Sequence, residues 1–198
     1  GGALTVSAVT NANPAVATST AHGLANGDYV IVTSGWSRLN QKLVRVANVT
    51  ANTFELEGYD TSSTSIYPAA SGTGSVKKVT TFTQITQILG SNSDGGQQQF
   101  LEYQFLESDA KTKIPTSKTA GGWTLQIGDD PTLAGYIAMS AANDDRVARA
   151  MRINLANGGK LCYVGYCSLN KTPTLTVDQL MACEATVSFL NEAVRYAT

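Results

Sequence analysis

A period of two near the end of the chain restricts the fold more than any other pattern in it. Between Leu175 and Leu190 every odd position except Gln179 is apolar, and a helical period would be interrupted at Glu184. A strand with one buried face needs an apolar residue at every second position, whereas a helix needs one every three or four. The segment therefore predicts a half-buried β-strand, and a mainly β fold is the starting hypothesis.

Short strand-like segments fill the first 75 residues. Gly27-Asp28 and Asn52-Thr53 are turn dipeptides that separate β-branched, apolar segments. The predicted strands are Ala3–Val9, Tyr29–Thr33, Leu43–Val49 and Phe54–Leu56. The stretch from Ser62 to Gly74 is rich in Ser, Thr, Ala and Gly, a composition typical of a linker. We therefore predict a small β-module with a tether over residues 1–75, and a core domain over 76–198.

The second block has the pattern of an antiparallel sheet with one helix. Its predicted strands are Thr83–Leu89, Phe100–Leu106, Trp123–Ile127, Val147–Leu155, Leu161–Leu169 and Leu175–Leu190. Asn157-Gly158 predicts a hairpin turn, and the segments Gly90–Gln99 and Glu107–Ala120 have loop compositions. This order predicts a β-sandwich or barrel with one flanking α-helix.

The helix is predicted from its start signal. Asp130 is placed as the N-cap and Pro131 as the first helical residue, a combination that favours helix initiation. The predicted helix ends near Asn143, and one face carries Leu133, Tyr136, Ile137 and Ser140.

The charge composition argues against general nucleic-acid binding and favours self-assembly. Formal net charge is -1, and Lys77-Lys78 is the longest basic cluster, whereas a phosphate-binding surface needs a basic excess. Charged residues make up 15% of the chain, against about 25% in an average globular domain. A weakly charged surface suits a protein covered by copies of itself. No apolar run is long enough to span a bilayer, so no membrane partner is expected.

The residue types that carry catalysis or bind metals are sparse. The chain has a single histidine, His22, and no GxSxG motif of the kind found in serine hydrolases is present. The pairs Asp129-Asp130 and Asp144-Asp145 flank the predicted helix, where helix capping explains them better than catalysis. The three cysteines lack CxxC spacing, and they read as reduced core thiols. We therefore predict no enzyme activity, no metal and no cofactor.

One aromatic segment suggests a surface for self-association. Phe100, Tyr103 and Phe105 form a low-charge strand between the two predicted loops. Such a strand is either part of the core or becomes buried only when a neighbour covers it.

Residues 81–198 resemble the tail tube proteins of long-tailed bacteriophages. The resemblance rests on the order and spacing of four motifs: Lys113-Ile114-Pro115-Thr116, Asp129-Asp130-Pro131, Asn157-Gly158 and the closing VSFLNEAVRYA. It implies a structural virion protein, assembled in the host cytoplasm, whose hexameric rings stack into a hollow tube. The implied partners are copies of itself, a tape-measure protein, tail terminator and distal tail proteins, and double-stranded DNA that passes without specific binding. The subunit-interface residues expected on this basis are Phe100, Tyr103, Phe105, Lys113, Ile114 and Pro115.

The N-terminal stretch is similar to a short β-module of phage structural proteins. The shared motifs are His22-Gly23-Leu24, Gly27-Asp28, Leu39-Asn40 and Asn52-Thr53-Phe54-Glu55-Leu56. On this interpretation His22 is a turn residue without chemistry. Two alternatives stay open: a tail-completion or head–tail adaptor ring, and a carbohydrate-binding β-protein that uses Trp36.

Overall fold

The computed structural model describes residues 1–175 and 180–197, which form fifteen strands and one helix. Seven strands come first: β1 (Ala3–Val6), β2 (Ala8–Val9), β3 (Ala15–Thr18), β4 (Tyr29–Ser34), β5 (Lys42–Ala47), β6 (Thr53–Leu56) and β7 (Gly74–Lys78). Then follow β8 (Ile88–Asp94), β9 (Gln98–Tyr103), β10 (Thr112–Lys118), β11 (Gly122–Gly128), α1 (Ala134–Asp145), β12 (Arg149–Asn154), β13 (Lys160–Leu169), β14 (Ala182–Phe189) and β15 (Val194–Tyr196). The mainly β fold with one helix is confirmed.

The first seven strands close into a barrel. Their hydrogen-bonded order is β1-β7-β4-β5-β6-β3-β2, so β1 and β2 lie at opposite ends of the sheet although Ser7 alone separates them. The Ser7 backbone N–H donates to the Thr18 carbonyl at 2.9 Å and continues the pairing through that residue. The two terminal strands of the sheet, β1 and β2, are therefore halves of one bent segment, and the sheet closes on itself without a free edge.

The barrel unit takes part of its core from the end of the chain. The unit comprises Gly1–Gln84, Ala148–Gly165 and the chain from Asn191 onward. Leu43 and Val44 are adjacent in β5 and both fully buried, so the strand has a covered surface on each side. The same hydrophobic cluster includes Cys162, Val164, Val194 and Tyr196.

The predicted tether, Ser62–Gly74, is packed against the barrel. Trp36 is 2% exposed, its ring contacts Tyr67 at 5.2 Å between centroids, and its indole N–H donates to the Pro68 carbonyl at 2.8 Å. A side chain at Gly72 would lie 2.7 Å from the Trp36 ring. The next strand, β7, crosses the predicted boundary at residue 75 and pairs with both β1 and β4. The compact unit thus continues to Gln84.

The second unit consists of Ile85–Val147 and Tyr166–Leu190. In it β11 pairs antiparallel with β14 on one side and with β8 on the other. Asn143 in α1 accepts a hydrogen bond from the Leu169 backbone N–H at 3.1 Å. The β14 burial alternates, with Cys183, Ala185 and Val187 buried, as the period of two predicted. The predicted strand began at Leu175, and its residues 176–179 lie outside the described part of the chain.

The predicted helix cap at Asp130 and Pro131 is corrected. The N-cap is Leu133, which is extended and makes no side-chain cap hydrogen bond. The Asp130 carboxylate instead accepts hydrogen bonds from the backbone N–H and the hydroxyl of Thr132 at 3.0 and 2.6 Å, which lowers the pKa of Asp130. This local turn competes with helix initiation. The buried residues of α1 are Gly135, Met139 and Ala142, and Ile137 is 55% exposed, so the predicted face is also wrong.

The two predicted loops are largely strands. Most of β8 lies within Gly90–Gln99, and β10 lies within Glu107–Ala120. Both sequences are poor in apolar residues, which is why their composition suggested loops. Pairing with β11 and with β9 overrides that weak local preference.

Tyr196→Phe tests whether the C-terminal segment stabilises the barrel unit. The Arg45 backbone N–H donates to the Tyr196 hydroxyl at 2.7 Å, and burial raises the pKa of that hydroxyl. Its removal leaves the β5 donor unpaired, so the free energy of unfolding should fall by about 1–3 kcal/mol in denaturant titrations. Tyr166→Phe is the control, because Tyr166 is 47% exposed. Equal stability of the two variants would contradict the inferred role of Tyr196.

Candidate self-association surface

Residues 98–118 form a hairpin that we call the arm. The strands β9 and β10 pair with each other in a separate two-stranded sheet. The short link Gly95–Gln97 leads from β8 into β9, and Thr119–Gly121 leads from β10 into β11. Because β8 also pairs with β11, the arm is the continuation of a longer β-ribbon beyond the larger sheet.

The arm is exposed and rich in apolar side chains. Every residue of β10 is exposed, and only the end residues of β9 are partly covered. The exposed apolar side chains are Phe100 (55%), Leu101 (58%), Phe105 (60%), Leu106 (108%) and Ile114 (46%). A two-stranded ribbon is at best marginally stable in water, so this surface is suited to being covered by another molecule.

The register divides the predicted interface residues between two faces. Phe100 lies opposite Pro115, and Glu102 lies opposite Lys113. The pairs Leu101–Ile114 and Tyr103–Thr112 alternate with them and therefore point the other way. The structure thus brings Phe100, Lys113 and Pro115 to one face of the arm, and Tyr103 and Ile114 to the other.

Phe105 extends the second of these faces. It lies just beyond the end of β9, and its ring contacts Tyr103 edge to face at 5.2 Å between centroids. The ion pair on the first face joins Lys113 Nζ and a Glu102 carboxylate oxygen at 2.9 Å, with both side chains about half exposed. Such a pair contributes about 1 kcal/mol or less to stability. The arm therefore depends on contacts with other molecules for its stability.

Two glycines set the course of the backbone into the arm. Gly95 and Gly96 both have φ of +73°, a left-handed conformation that side chains disfavour. A Cβ on Gly95 would lie 1.9 Å from the Ala120 carbonyl oxygen, whereas a Cβ on Gly96 would meet nothing within 4 Å. The two link segments therefore approach each other as closely as the backbone allows at Gly95.

A polar surface lies on one side of the sheet that the arm continues. The register places side chains from three strands on it: Asn92 and Asp94 from β8, Thr124 and Gln126 from β11, and Glu184, Thr186 and Ser188 from β14. We call these seven residues the polar face. Asp94, Gln126 and Glu184 are exposed. The strands β8, β11 and β14 contain no Lys or Arg, so the formal charge of this surface is negative.

The residues that could take part in catalysis or metal binding make structural contacts instead. His22 is 5% exposed, and its Nδ1 accepts a hydrogen bond from the Leu24 backbone N–H at 3.1 Å. Asp144 binds Lys171 Nζ at 2.9 Å, which lowers the pKa of that carboxyl. Among the described residues, no three His, Cys, Asp or Glu side chains are grouped to hold a metal ion.

All three cysteines are buried and none of them forms a disulfide bond, as predicted. Burial raises the pKa of the Cys162 thiol to about 11. Burial also raises the pKa of Cys183, and the hydrogen bond that its thiol donates to Asp129 adds to the effect. Neutral thiols of this kind are poor nucleophiles.

A model of the phage tail tube protein family matches residues 34–198. The chain belongs to this family. The match covers five sixths of the chain and includes the arm, the polar face and the barrel strands β5, β6 and β7. No curated protein matches the chain. Tail tube proteins are structural components of the virion tail, so the predicted family, location and general role are confirmed.

Sequence reasoning missed part of the tail tube arm. Leu101 and Leu106 are exposed, as Phe100 and Phe105 are. The signal was present, because apolar residues occur at both odd and even positions of Phe100–Leu106, a pattern that places them on both faces of a strand.

In the part of the chain that the structure describes, no helix is long and apolar enough to cross a bilayer.

A matched pair of substitutions tests the backbone path into the arm. Gly96→Ala should cost only the left-handed conformation, about 1–2 kcal/mol. Gly95→Ala adds a clash with the Ala120 carbonyl and should also displace the arm. We expect faster amide exchange across residues 97–119 in Gly95→Ala than in Gly96→Ala. Identical exchange profiles would show that the close approach at Gly95 does not determine the path of the arm.

Proposed function

We propose that the chain polymerises as stacked rings, six copies to a ring, into the hollow tube through which the phage genome leaves the particle. Family membership supports the role in the tail tube. The ring number and the passage of DNA follow from the resemblance to tail tube proteins. The arm supports polymerisation, because it exposes apolar side chains that one chain alone leaves in water.

The open edge of the sheet supports main-chain pairing between copies. The strand β8 is last in the order β12-β13-β14-β11-β8. Among residues 1–175 and 180–197, one row of its backbone N–H and C=O groups therefore has no strand partner. An unpaired edge is a template for adding a strand of another chain. Together with the arm, it provides a directional contact, and such contacts generate rings and filaments.

The polar face is the proposed wall of the lumen. Passing DNA requires a surface that neither binds phosphate nor offers apolar contact. The polar face supplies carboxylates from Asp94 and Glu184 and no basic side chain from its three strands. The near-zero net charge of the whole chain fits the same role. We propose Asp94 and Glu184 as the acidic residues that repel the genome.

The proposed partners follow from a place in the tail. They are further copies of the chain, a tape-measure protein inside the growing tube, and tail terminator and distal tail proteins at its ends. Assembly is proposed to occur in the host cytoplasm, and neither a cofactor nor a catalytic step belongs to the proposal.

An adaptor or tail-completion ring is the second candidate, since it would use the same edge and arm to form one closed ring. Tubes and single rings distinguish the two. The carbohydrate-binding alternative required an accessible Trp36 face, but Trp36 is 2% exposed and its ring packs against Tyr67. A buried indole has no free face for stacking on a sugar.

The arm's role predicts that Phe105→Asp blocks polymerisation. Phe105 is 60% exposed, so the free subunit should fold normally. A carboxylate buried in a subunit contact without a partner costs several kcal/mol. Sedimentation velocity should detect tubes for the unmodified chain and only small species for the variant. Tubes of normal length from Phe105→Asp would contradict a role for this side chain in assembly.

The lumen assignment predicts a separate effect for Glu184→Lys. Phage whose tubes carry this substitution should have normal tails but release DNA several-fold more slowly, because a lysine row attracts phosphate. A time course of DNA release after triggered ejection measures the effect. Glu55→Lys in the barrel unit makes the same charge change at a residue that is not part of the polar face, and it is the control. Release at the unmodified rate from Glu184→Lys would remove this residue from the wall.

A further inference from the structure

We infer that the barrel unit of one copy binds the second unit of a neighbouring copy by charge attraction, and that Arg152 and Lys160 form the centre of the basic surface that it uses. The inference rests on the proposed polymerisation and adds a contact in which the arm takes no part. It follows from the division of charge between the two units and from the surroundings of Arg152.

The two units carry opposite charge, which the net charge of the whole chain hides. The segments of the barrel unit contain nine basic and five acidic residues, a formal charge of +4. The segments of the second unit contain five basic and ten acidic residues, a formal charge of -5. The formal net charge of -1 is therefore the sum of a basic unit and an acidic unit. Opposite charges of this kind attract two surfaces and orient them as they meet.

The carboxylates of the barrel unit do not neutralise its basic residues. Two of them are used in ion pairs, Asp28 with Lys78 at 2.6 Å and Glu57 with Arg45. Within residues 1–175 and 180–197, five basic side chains of this unit have no carboxylate partner: Arg38, Lys77, Arg152, Lys160 and Arg195. The barrel unit is therefore able to bind an acidic partner.

Two of these cations lie on one face of the hairpin that β12 and β13 form. Arg152 is paired with Cys162, and Lys160 lies two residues before Cys162 in the same strand. Alternate residues of a strand point to the same side, so Arg152 and Lys160 share a face. Diagonal neighbours of this kind lie about 7–8 Å apart, close enough for both to contact one acidic segment. No acidic residue occurs between Ala148 and Gly165, so the hairpin has no carboxylate of its own.

Aromatic rings hold the Arg152 guanidinium in place. Its central carbon lies 4.6 Å from the centroid of the Phe82 ring and 5.3 Å from that of Tyr29. The two rings contact each other edge to face at 5.5 Å between centroids. The buried Nε of Arg152 has no hydrogen-bond acceptor among the described residues, although the residue as a whole is partly exposed. The rings therefore order the cation without satisfying its N–H donors.

A guanidinium held in this way is suited to a carboxylate. Its planar set of N–H donors matches the two oxygens of a carboxylate. Because the rings already order the side chain, little further entropy is lost on binding. A partly covered cation without a counter-ion destabilises the free subunit, so an incoming carboxylate binds more strongly here than at an open surface.

The acidic partner is another copy of this chain. A polymer contains one acidic second unit for every basic barrel unit, so the two charges always occur in equal numbers of units. A contact between two different surfaces of identical subunits is heterologous, and it continues from copy to copy into a ring or a filament. DNA is another anion in the particle, and the experiment separates DNA binding from contact between copies.

Charge reversal at Lys160 tests the inference. We expect the critical concentration for tube formation, measured by sedimentation, to rise about tenfold or more for Lys160→Glu, because a carboxylate at this position repels the acidic unit. The control is Arg38→Glu, the same charge change at an exposed residue between β4 and β5. Its critical concentration should stay within about twofold of that of the unmodified chain. Arg152→Lys keeps the charge but loses the planar donors, so its critical concentration should lie between these two.

The dependence on salt is a second readout. Raising sodium chloride from about 0.05 M to about 0.5 M shortens the screening length, so the critical concentration of the unmodified chain should rise several-fold. Lys160→Glu should respond less to salt, because the attraction is already lost. Thermal unfolding of each unassembled variant, unchanged from the original chain, verifies that the subunits are folded.

Four outcomes overturn the inference. If Lys160→Glu forms tubes as readily as the unmodified chain, the hairpin is not a contact surface. If Lys160→Glu and Arg38→Glu lose assembly equally, only the total charge matters. A salt effect on the unfolding of the single subunit, without one on assembly, would place the attraction within one chain. Binding of short duplex DNA that Lys160→Glu abolishes would identify the ligand as phosphate. If the unmodified chain forms no tubes under any of these conditions, the proposed function itself fails, which is a distinct result.

Discussion

A ribbon of two β-strands cannot bury its own side chains, and this constraint determines how the protein can reach a stable form. The arm satisfies its backbone hydrogen bonds through the β9–β10 pairing, but its apolar residues have no layer to pack against in the described part of the chain. Packing in proteins requires a second layer, so another molecule must provide it. A chain built in this way reaches its stable form by associating, and a tube of identical subunits meets the requirement with a single sequence.

The rest of the chain provides the arm with a defined base. The arm continues the ribbon of β8 and β11, and β11 is itself fixed by seven residue pairs with β14. The close approach at Gly95 sets where the ribbon changes direction. The barrel unit is stabilised separately, by closure of its sheet and by core residues that include Val194 and Tyr196 near the end of the chain. Such contacts join segments that lie far apart in the sequence within one unit.

The sequence predicted elements whose own pattern was strong and missed those that depend on partners. The alternation around Cys183, Ala185 and Val187 reports one buried face, and β14 follows it. β8 and β10 have no such alternation, because most of their side chains are exposed on both sides, and only pairing reveals them as strands. The helix start was displaced because Asp130 bonds to Thr132, a local competition that a capping pattern does not show. The arm residues could be selected from their low charge, but their division between two faces required the register.

A density map of tubes grown from the purified chain shows directly where the arm and the polar face lie. We expect hollow tubes in which Phe100, Leu101 and Phe105 are buried against other copies, while Asp94 and Glu184 point toward the axis. Both features must appear in the same map, because the arm and the polar face belong to one ribbon and its sheet. A polymer with the arm exposed to solvent, or with apolar side chains in place of the polar face around the lumen, would contradict these two placements.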